Sequence, residues 1–357
     1  MKSNYDILGN HIRLIDTRNR ESITDRVLGI NIDKFFMPSV ANVIGTDLSK
    51  YKLITKGKFA CNPMHVGRDE RLPVALYDED TPALVSPAYF MFEVIDDSLL
   101  NEDYLMMWFR RPEFDRICWL HTDGSVRGGI TWDDICRLEL PIPPIEKQLE
   151  IVNSYKAITE RIALKQKIND NLDDTAQTLY QKYFESNSDK SSWKQGTVGD
   201  VLQLQRGHDL PRTEMTGGKY PVAGSTGTIG YHDEFTAEAP VIVMGRSGNI
   251  GNPRLYLCNC WTHNTSLYVK QIYEAEPLWV FYLLKNLNYD GFVGGSAVPT
   301  LNRNDVHAYG IAIPPLELQK SFSQKVMSLI YCKEENLSEI EKLQELQKII
   351  LTTMSSR

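Results

Sequence analysis

Two short runs in this chain set glycine at every third residue, Gly224-Ser-Thr-Gly-Thr-Ile-Gly230 and Gly245-Arg-Ser-Gly-Asn-Ile-Gly251. Neither has the spacing of a dinucleotide fingerprint, and neither ends in the Gly-Lys-Ser/Thr of a phosphate loop. Glycine at this period between β-branched residues marks tight turns in a curved sheet. Loops rich in Gly, Ser, Thr, Asn and Arg can also bring backbone close to a polynucleotide groove. There they present donors to phosphates and paired groups to base edges. Ser225, Thr226 and Thr228 lie in the first run, and Arg246, Ser247 and Asn249 in the second.

Other constellations carry less. Asn62-Pro63-Met64-His65 is similar to the Asn-Pro-Pro-aromatic loop of amino-group DNA methyltransferases. Its third residue is Met, the aromatic is absent, and no glycine-rich cofactor motif precedes it, so catalysis by this chain is not expected. There is no Ser/His/Asp or Cys/His set in a recognisable context and no paired-carboxylate nuclease signature. Cys258-Asn-Cys260 with His263 nearby lacks the second pair of a zinc site and reads as buried thiols in a strand. The seven histidines are scattered, and most read as ordinary loop residues. No metal and no catalytic residue is expected.

The totals set bounds. With 357 residues and 42% apolar composition, the chain can bury two or three cores. No apolar run approaches the roughly eighteen residues of a membrane span. Nothing near Met1 reads as a secretory signal, and six cysteines make no dense disulfide framework, so a cytoplasmic location is expected. The formal charge is −7, which argues against a bulk electrostatic DNA binder. Any nucleic-acid role must rest on local basic loops or on partner subunits.

The organisation comes from an internal repeat. Leu140-Pro-Ile-Pro-Pro-Ile-Glu-Lys-Gln148 returns as Ile311-Ala-Ile-Pro-Pro-Leu-Glu-Leu-Gln319 at a constant offset of 171 residues. The same frame places Gly124-Ser125 on Gly295-Ser296 and Asp134-Ile135 on Asp305-Val306. Each Pro-Pro is followed by about forty residues of helical pattern, on the order of 60 Å. Their shared heptad seam is Tyr155, Ile158, Ile162, Lys165, Asn169, Leu172, Ala176, Leu179 and Tyr183 in the first helix. In the second it runs from Val326 through Lys333 and Asn336 to Met354. The seam is apolar at both ends and polar in the middle, so Lys165, Asn169, Lys333 and Asn336 are expected to face solvent or a partner. Before each helix lies a mixture of short β-like runs, then a helical segment at Glu102–Phe109 or after Glu276. The expected fold is α+β, a pseudo-twofold tandem repeat. Two β-rich globular domains (1–141 and 186–310) are joined by two long helices (142–185 and 311–357) packed as an antiparallel coiled coil.

A domain, a Pro-Pro entry into a long helix, then both again resembles the specificity subunit of type I restriction-modification enzymes. Further family-like blocks are Lys56-Gly-Lys-Phe-Ala-Cys-Asn-Pro-Met, Leu84-Val-Ser-Pro-Ala-Tyr and Tyr220-Pro-Val-Ala-Gly-Ser-Thr-Gly-Thr-Ile-Gly-Tyr. The resemblance implies a non-catalytic reader of double-stranded DNA, with one target recognition domain for each half of a bipartite site. It implies two methyltransferase subunits docked through the helices, and restriction subunits beyond them. S-adenosylmethionine would belong to the methyltransferase partner, ATP and magnesium to the restriction partner, and no cofactor to this chain. From loop position and chemistry, the DNA-contacting candidates are Lys34, Asn62, His65, Arg68 and Arg127 in the first domain. In the second they are Arg206, His208, Ser225, Thr228, Arg246, Asn249 and Arg254. A stand-alone methyltransferase or nuclease, or a scaffold unrelated to DNA, is the alternative.

Overall fold

The structure is a computed structural model that describes residues 5–41, 43–64, 66–122, 128–289, 292–294 and 300–354, without the side chains at 68, 293 and 294. Its chain forms two compact units, residues 1–164 with 339–357 and residues 165–338.

Unit 1 begins with β1 (Tyr5–Ile7) and β2 (Ile12–Leu14), followed by β3 (Lys58–Cys61), β4 (Val74–Tyr77) and β5 (Phe90–Val94). The sheet order is β2-β5-β3-β4, all antiparallel. Helices α1 (Glu102–Phe109), α2 (Pro112–Leu120) and α3 (Trp132–Cys136) follow. Then β6 (Glu139–Pro141) returns to pair with β1. The core forms where strand alternation and the α1 apolar face meet: Phe59 and Phe92 stack at 5.0 Å, and Phe109 meets Phe59 edge-on at 5.8 Å. A capping box starts α3, with Thr131 accepting from the Asp134 amide while the Asp134 carboxylate accepts from Thr131.

Unit 2 is built from the same parts. It has β7 (Lys194–Thr197), β8 (Leu202–Arg206), β9 (Tyr220–Gly224), β10 (Gly227–His232), β11 (Val241–Gly245), β12 (Gly251–Tyr256) and β13 (Ser266–Ile272). Then come α5 (Pro277–Lys285), α6 (Arg303–His307) and β14 (Gly310–Ile313), which pairs with β7; the label α4 is kept for the first long helix. Its four-stranded sheet runs β8-β13-β11-β12, so strand for strand it repeats β2-β5-β3-β4. Between β8 and β11 unit 2 has the hairpin β9–β10, which holds the first glycine run, where unit 1 has the shorter hairpin of Leu28–Ile30 with Phe36–Pro38. Its core is aromatic: Phe322 lies 5.1 Å from Phe184 and 5.4 Å from Tyr282.

The long helices are α4 (Ile145–Tyr180), which ends in a wider turn at Gln181–Glu185, and α7 (Leu316–Thr353). Residues 145–164 of α4 and 339–353 of α7 belong to unit 1, and the rest to unit 2. Each helix starts at its Pro-Pro pair, where the second proline lends its carbonyl to the first helical amides. The repeated glutamine explains the motif. Gln148 is buried, accepts from the amide of Asn101 (2.9 Å), and donates to the carbonyls of Leu99 and Pro143 (2.8 Å each). Gln319 is buried in the same way, accepting from the amide of Glu276 and donating to the carbonyl of Pro314 at 2.9 Å. Asn101 and Glu276 are the N-cap residues of α1 and α5. One side chain thus fastens the start of each long helix to the start of the helix in its own head.

Within both units the helices pair antiparallel. In unit 1 Thr159 meets Gln347 and Arg161 meets Glu339; in unit 2 Asn169 meets Asn336 and Asp173 meets Lys333. Partner numbers fall as residue numbers rise. The heptad seam is right in every position: its nine residues, eight in α4 and Tyr183 in the wider turn, are buried or half-buried. The expectation for its polar centre is not. Asn336 donates to Asn169 (2.8 Å), both side chains are buried, and Lys165 donates to Asn336 (2.7 Å). Lys333 pairs with Asp173 at 2.5 Å. These four residues serve the contact between the helices, because a polar atom carried into a seam must find its partner there.

Replacing Gln319 by Leu leaves the Glu276 amide and the Pro314 carbonyl without partners. The expected cost is about 2–4 kcal/mol, read by urea unfolding, and Gln148→Leu is expected to do the same in unit 1. A change below about 0.5 kcal/mol at both sites would show that the corner is not held this way.

Candidate nucleic-acid interface

In unit 2 three arginines converge. Arg206 ends β8, Arg246 follows β11, and Arg303 is the first residue of α6. With Leu267, Thr300, Leu301 and Asn302 they line a cleft of about 460 Å³, and none of these lining residues is a carboxylate. Asp209 lies 3.9 Å from Arg206 and is also held by Asn264. Among the described residues Arg246 and Arg303 form no side-chain ion pair.

The three carriers are fastened to one another. The Arg246 amide donates to the Thr265 carbonyl (3.0 Å), and the Arg246 carbonyl accepts from Leu301 (2.8 Å), which leads into α6. At the other end of α6, His307 Nε2 accepts from the Leu204 amide of β8 at 2.8 Å. Burial, and then the charge of Arg303, hold His307 below the ordinary histidine value of 6.5, so the ring stays neutral and Nε2 remains an acceptor. Two glycines make the tight packing possible. A Cβ on Gly245 would fall on the carbonyl oxygen of Asn249, and one on Gly207 would fall on that of His263.

The sequence candidates divide accordingly. Arg206 and Arg246 come together in the cleft. Ser225 and Asn249 come together elsewhere, as a brace: Asn249 donates to the Ser225 carbonyl (3.2 Å) and accepts from Asn252 (2.8 Å). The two glycine turns are thereby locked to each other. Thr228 lies 3.4 Å from the Tyr256 hydroxyl, and the guanidinium of Arg254 lies over Gly227. His208 pairs through its backbone with Thr262, and its ring sits 6.1 Å from Tyr268. Of the two cysteines read as buried thiols, only Cys260 is buried, and Cys258 is exposed.

In unit 1, Lys34 is corrected. Its ammonium is buried, donates to the Phe109 carbonyl and pairs with Asp115 at 2.8 Å. Burial lowers its pKa and Asp115 opposes that. A loop lysine was drawn inward by a carboxylate 81 residues away, and it holds the head together where base reading was expected. Asn62 is a half-buried turn-former whose side chain accepts from the Met64 amide. His65 and Arg127 lie outside the described residues, and so does the side chain of Arg68.

Two residues that build the cleft are absent from the sequence candidates. Arg303 and His307 correspond, at the 171 offset, to Trp132 and Cys136. Trp132 in unit 1 packs on Phe92 at 5.4 Å, and the register of the first sheet strand aligns Leu14 with Leu204 and Asp16 with Arg206. The Leu8 and Val198 amides donate to the carbonyls of Leu138 and Tyr309, and the Ile130 and Leu301 amides to those of Pro63 and Arg246, so unit 1 sets Asp16, Pro63 and Trp132 where unit 2 sets Arg206, Arg246 and Arg303. A signal existed in the sequence: a shared frame with an aromatic in one copy and a cation in the other.

Residues 190–349 match the family model described as the type I restriction modification DNA specificity domain. Over 98% of its length the chain is 22% identical to a protein described as the type I restriction enzyme MjaX specificity subunit, from Methanocaldococcus jannaschii, and covers 88% of that protein. Among solved structures it is similar to the type I restriction-modification S subunit from M. genitalium (TM-score 0.62, 17% identity, 99% of this chain and 96% of that one). A second similar chain comes from a structure of complex assembly and conformational transition in the type I R-M system (TM-score 0.51, 16% identity, 98% and 96%). These two likenesses are likenesses of fold. The resemblance read from the duplicated Pro-Pro block is borne out.

Two outcomes are expected. Lys34→Ala strands Asp115 and should cost roughly 3–5 kcal/mol in the urea unfolding of unit 1. For His307 the folded state favours the neutral ring, so its contribution is complete above pH 6.5 and is lost as pH falls from there through the depressed value. His307→Gln, which does not titrate, should shrink the drop in urea midpoint between pH 7.5 and pH 5.5; an unchanged drop would show that His307 is not coupled to folding.

Proposed function

We infer that this chain is a DNA sequence-specificity subunit of a type I restriction-modification system and is not a catalyst by itself. The observation that carries this is one frame built twice with different chemistry in its two heads. Sheet order, Pro-Pro corner and buried glutamine recur. The place between β8, β11 and α6 holds three arginines, whereas its counterpart holds Asp16, Pro63 and Trp132. Equal frames with unequal reading surfaces suit an asymmetric site of two unlike halves. The stand-alone methyltransferase and the scaffold unrelated to DNA gain no support from any feature of the structure.

Finer parts of the proposal are these. Two methyltransferase subunits dock on the long helices and restriction subunits join them, all in the cytoplasm. S-adenosylmethionine is bound by the methyltransferase, ATP and magnesium by the restriction subunit, and no cofactor by this chain. The target recognition domains are residues 1–141 and 186–310, and the spacer helices are 142–185 and 311–357. The helices set the length of the unread gap.

The test is to produce the chain with the methyltransferase encoded beside it in a host without other adenine methylation, and to sequence the methylated genome. The expected result is one motif of two unlike halves separated by unread bases. Removing one heptad from each helix is expected to shorten the gap or abolish methylation, with both halves unchanged. A contiguous motif, or none with a demonstrably active methyltransferase, would overturn the inference.

A further inference from the structure

We propose that the Arg206–Arg246–Arg303 cleft grips a backbone phosphate of DNA, with Arg303 as its third arm, and that unit 1 has no counterpart at that place. The proposal rests on the specificity-subunit inference and deepens it. A base edge offers one bidentate partner to one arginine. Three guanidinium groups around a single cleft of about 460 Å³ exceed what one base edge accepts. They repel one another until an anion sits between them. A phosphodiester has two anionic oxygens that take charge-assisted bonds from several donors at once.

The cleft is also preformed. Leu301 ties the lead-in of α6 to Arg246, and His307 ties the end of α6 to β8, so the three arginine carriers are joined by backbone and ring hydrogen bonds. Such rigidity suits a contact that sets register on a duplex and is the same for every sequence. In unit 1 the equivalent positions are Asp16, Pro63 and Trp132, none of which can neutralise a phosphate. Arg206 and Arg246, candidates for base contacts by sequence, become positioning contacts. Discrimination in unit 2 then falls to the other candidates, such as Thr228 and Arg254.

The experiment uses the full chain assembled with its methyltransferase subunits and a duplex carrying the motif found by methylome sequencing. Binding is followed by fluorescence anisotropy from 50 to 300 mM KCl. Arg303→Ala is expected to weaken binding roughly tenfold at low salt and to flatten the slope of log K against log salt by about 0.9. The methylated motif should stay unchanged, and Arg303→Lys should restore most of the slope. Arg303 is exposed on a short helix, and the same pair of substitutions at exposed Arg206 gives an independent reading with the same expectation. An unchanged slope would overturn the proposal. So would a motif relaxed at one base, which would make Arg303 a base reader and leave the specificity-subunit inference standing. Stabilisation of the wild-type complex by 10 mM inorganic phosphate, lost in Arg303→Ala without any change in DNA slope, would assign the cleft to a free anion and overturn it. Failure of the wild-type complex to bind DNA at any salt would sink both this proposal and the inference beneath it.

Discussion

A single buried side chain at each Pro-Pro corner holds the design together. Gln148 and Gln319 each occupy a place where two chain segments meet with their hydrogen-bonding groups turned inward. The second proline begins a helix and supplies no donor. The first leaves a carbonyl that points into the corner, and the N-cap residue of the head's own helix leaves an amide there. Without a partner each such buried group costs about 1–3 kcal/mol. A primary amide is the neutral side chain with both an acceptor and two donors on one planar group. This explains why the motif carries glutamine at that spacing in both copies. It also couples stability: a long helix of mixed polarity does not hold itself in water, and here its first turn is shared with a packed head.

The seam shows the same logic at its centre. Ile162, Ala176, Val326, Ile340 and Met354 bury apolar surface along the helices, while Asn169, Asn336 and Lys165 interrupt it. Leucine at those positions would bury more apolar area. The asparagine pair instead makes other registers costly, since a one-heptad slip would bury both amides against methyl groups. Register matters more than stability if the helices measure distance. The ion pairs Arg161–Glu339, beside the seam, and Lys333–Asp173, at its edge, are partly exposed and add little energy of their own.

Some of this was legible in the sequence and some was not, for physical reasons. The duplicated corner and the seam were plain because helix period and a constant offset of 171 residues leave a local imprint. The equivalence of the two sheets was hidden. Between β2 and β3 lie 43 residues, and between β8 and β11 only 34, so the frame slips as soon as it leaves the α3 and α6 region. Lys34 looked like a solvated loop cation because its carboxylate is far away in sequence and its burial exists only in the folded head. Asn249 looked like a reader because an asparagine in a glycine turn has the same chemistry whether it faces a base or the Ser225 carbonyl. Arg303 carries no loop signal in the sequence, because it sits just inside the start of a short helix.

The charge balance takes a different meaning once the cleft is known. A net charge of −7 supplies no attractive long-range field for DNA. Beyond a screening length of about 10 Å at 0.1 M salt, however, that total matters little. What matters is the charge within reach of the phosphate, and there the described lining has three arginines and no carboxylate. A chain arranged in this way gains little from steering and little from binding arbitrary DNA. On the phosphate-clamp proposal its affinity would depend on seating the cleft in one orientation. For a reader of sequence this is an advantage, because non-specific affinity, which rises with every added surface cation, competes directly with discrimination.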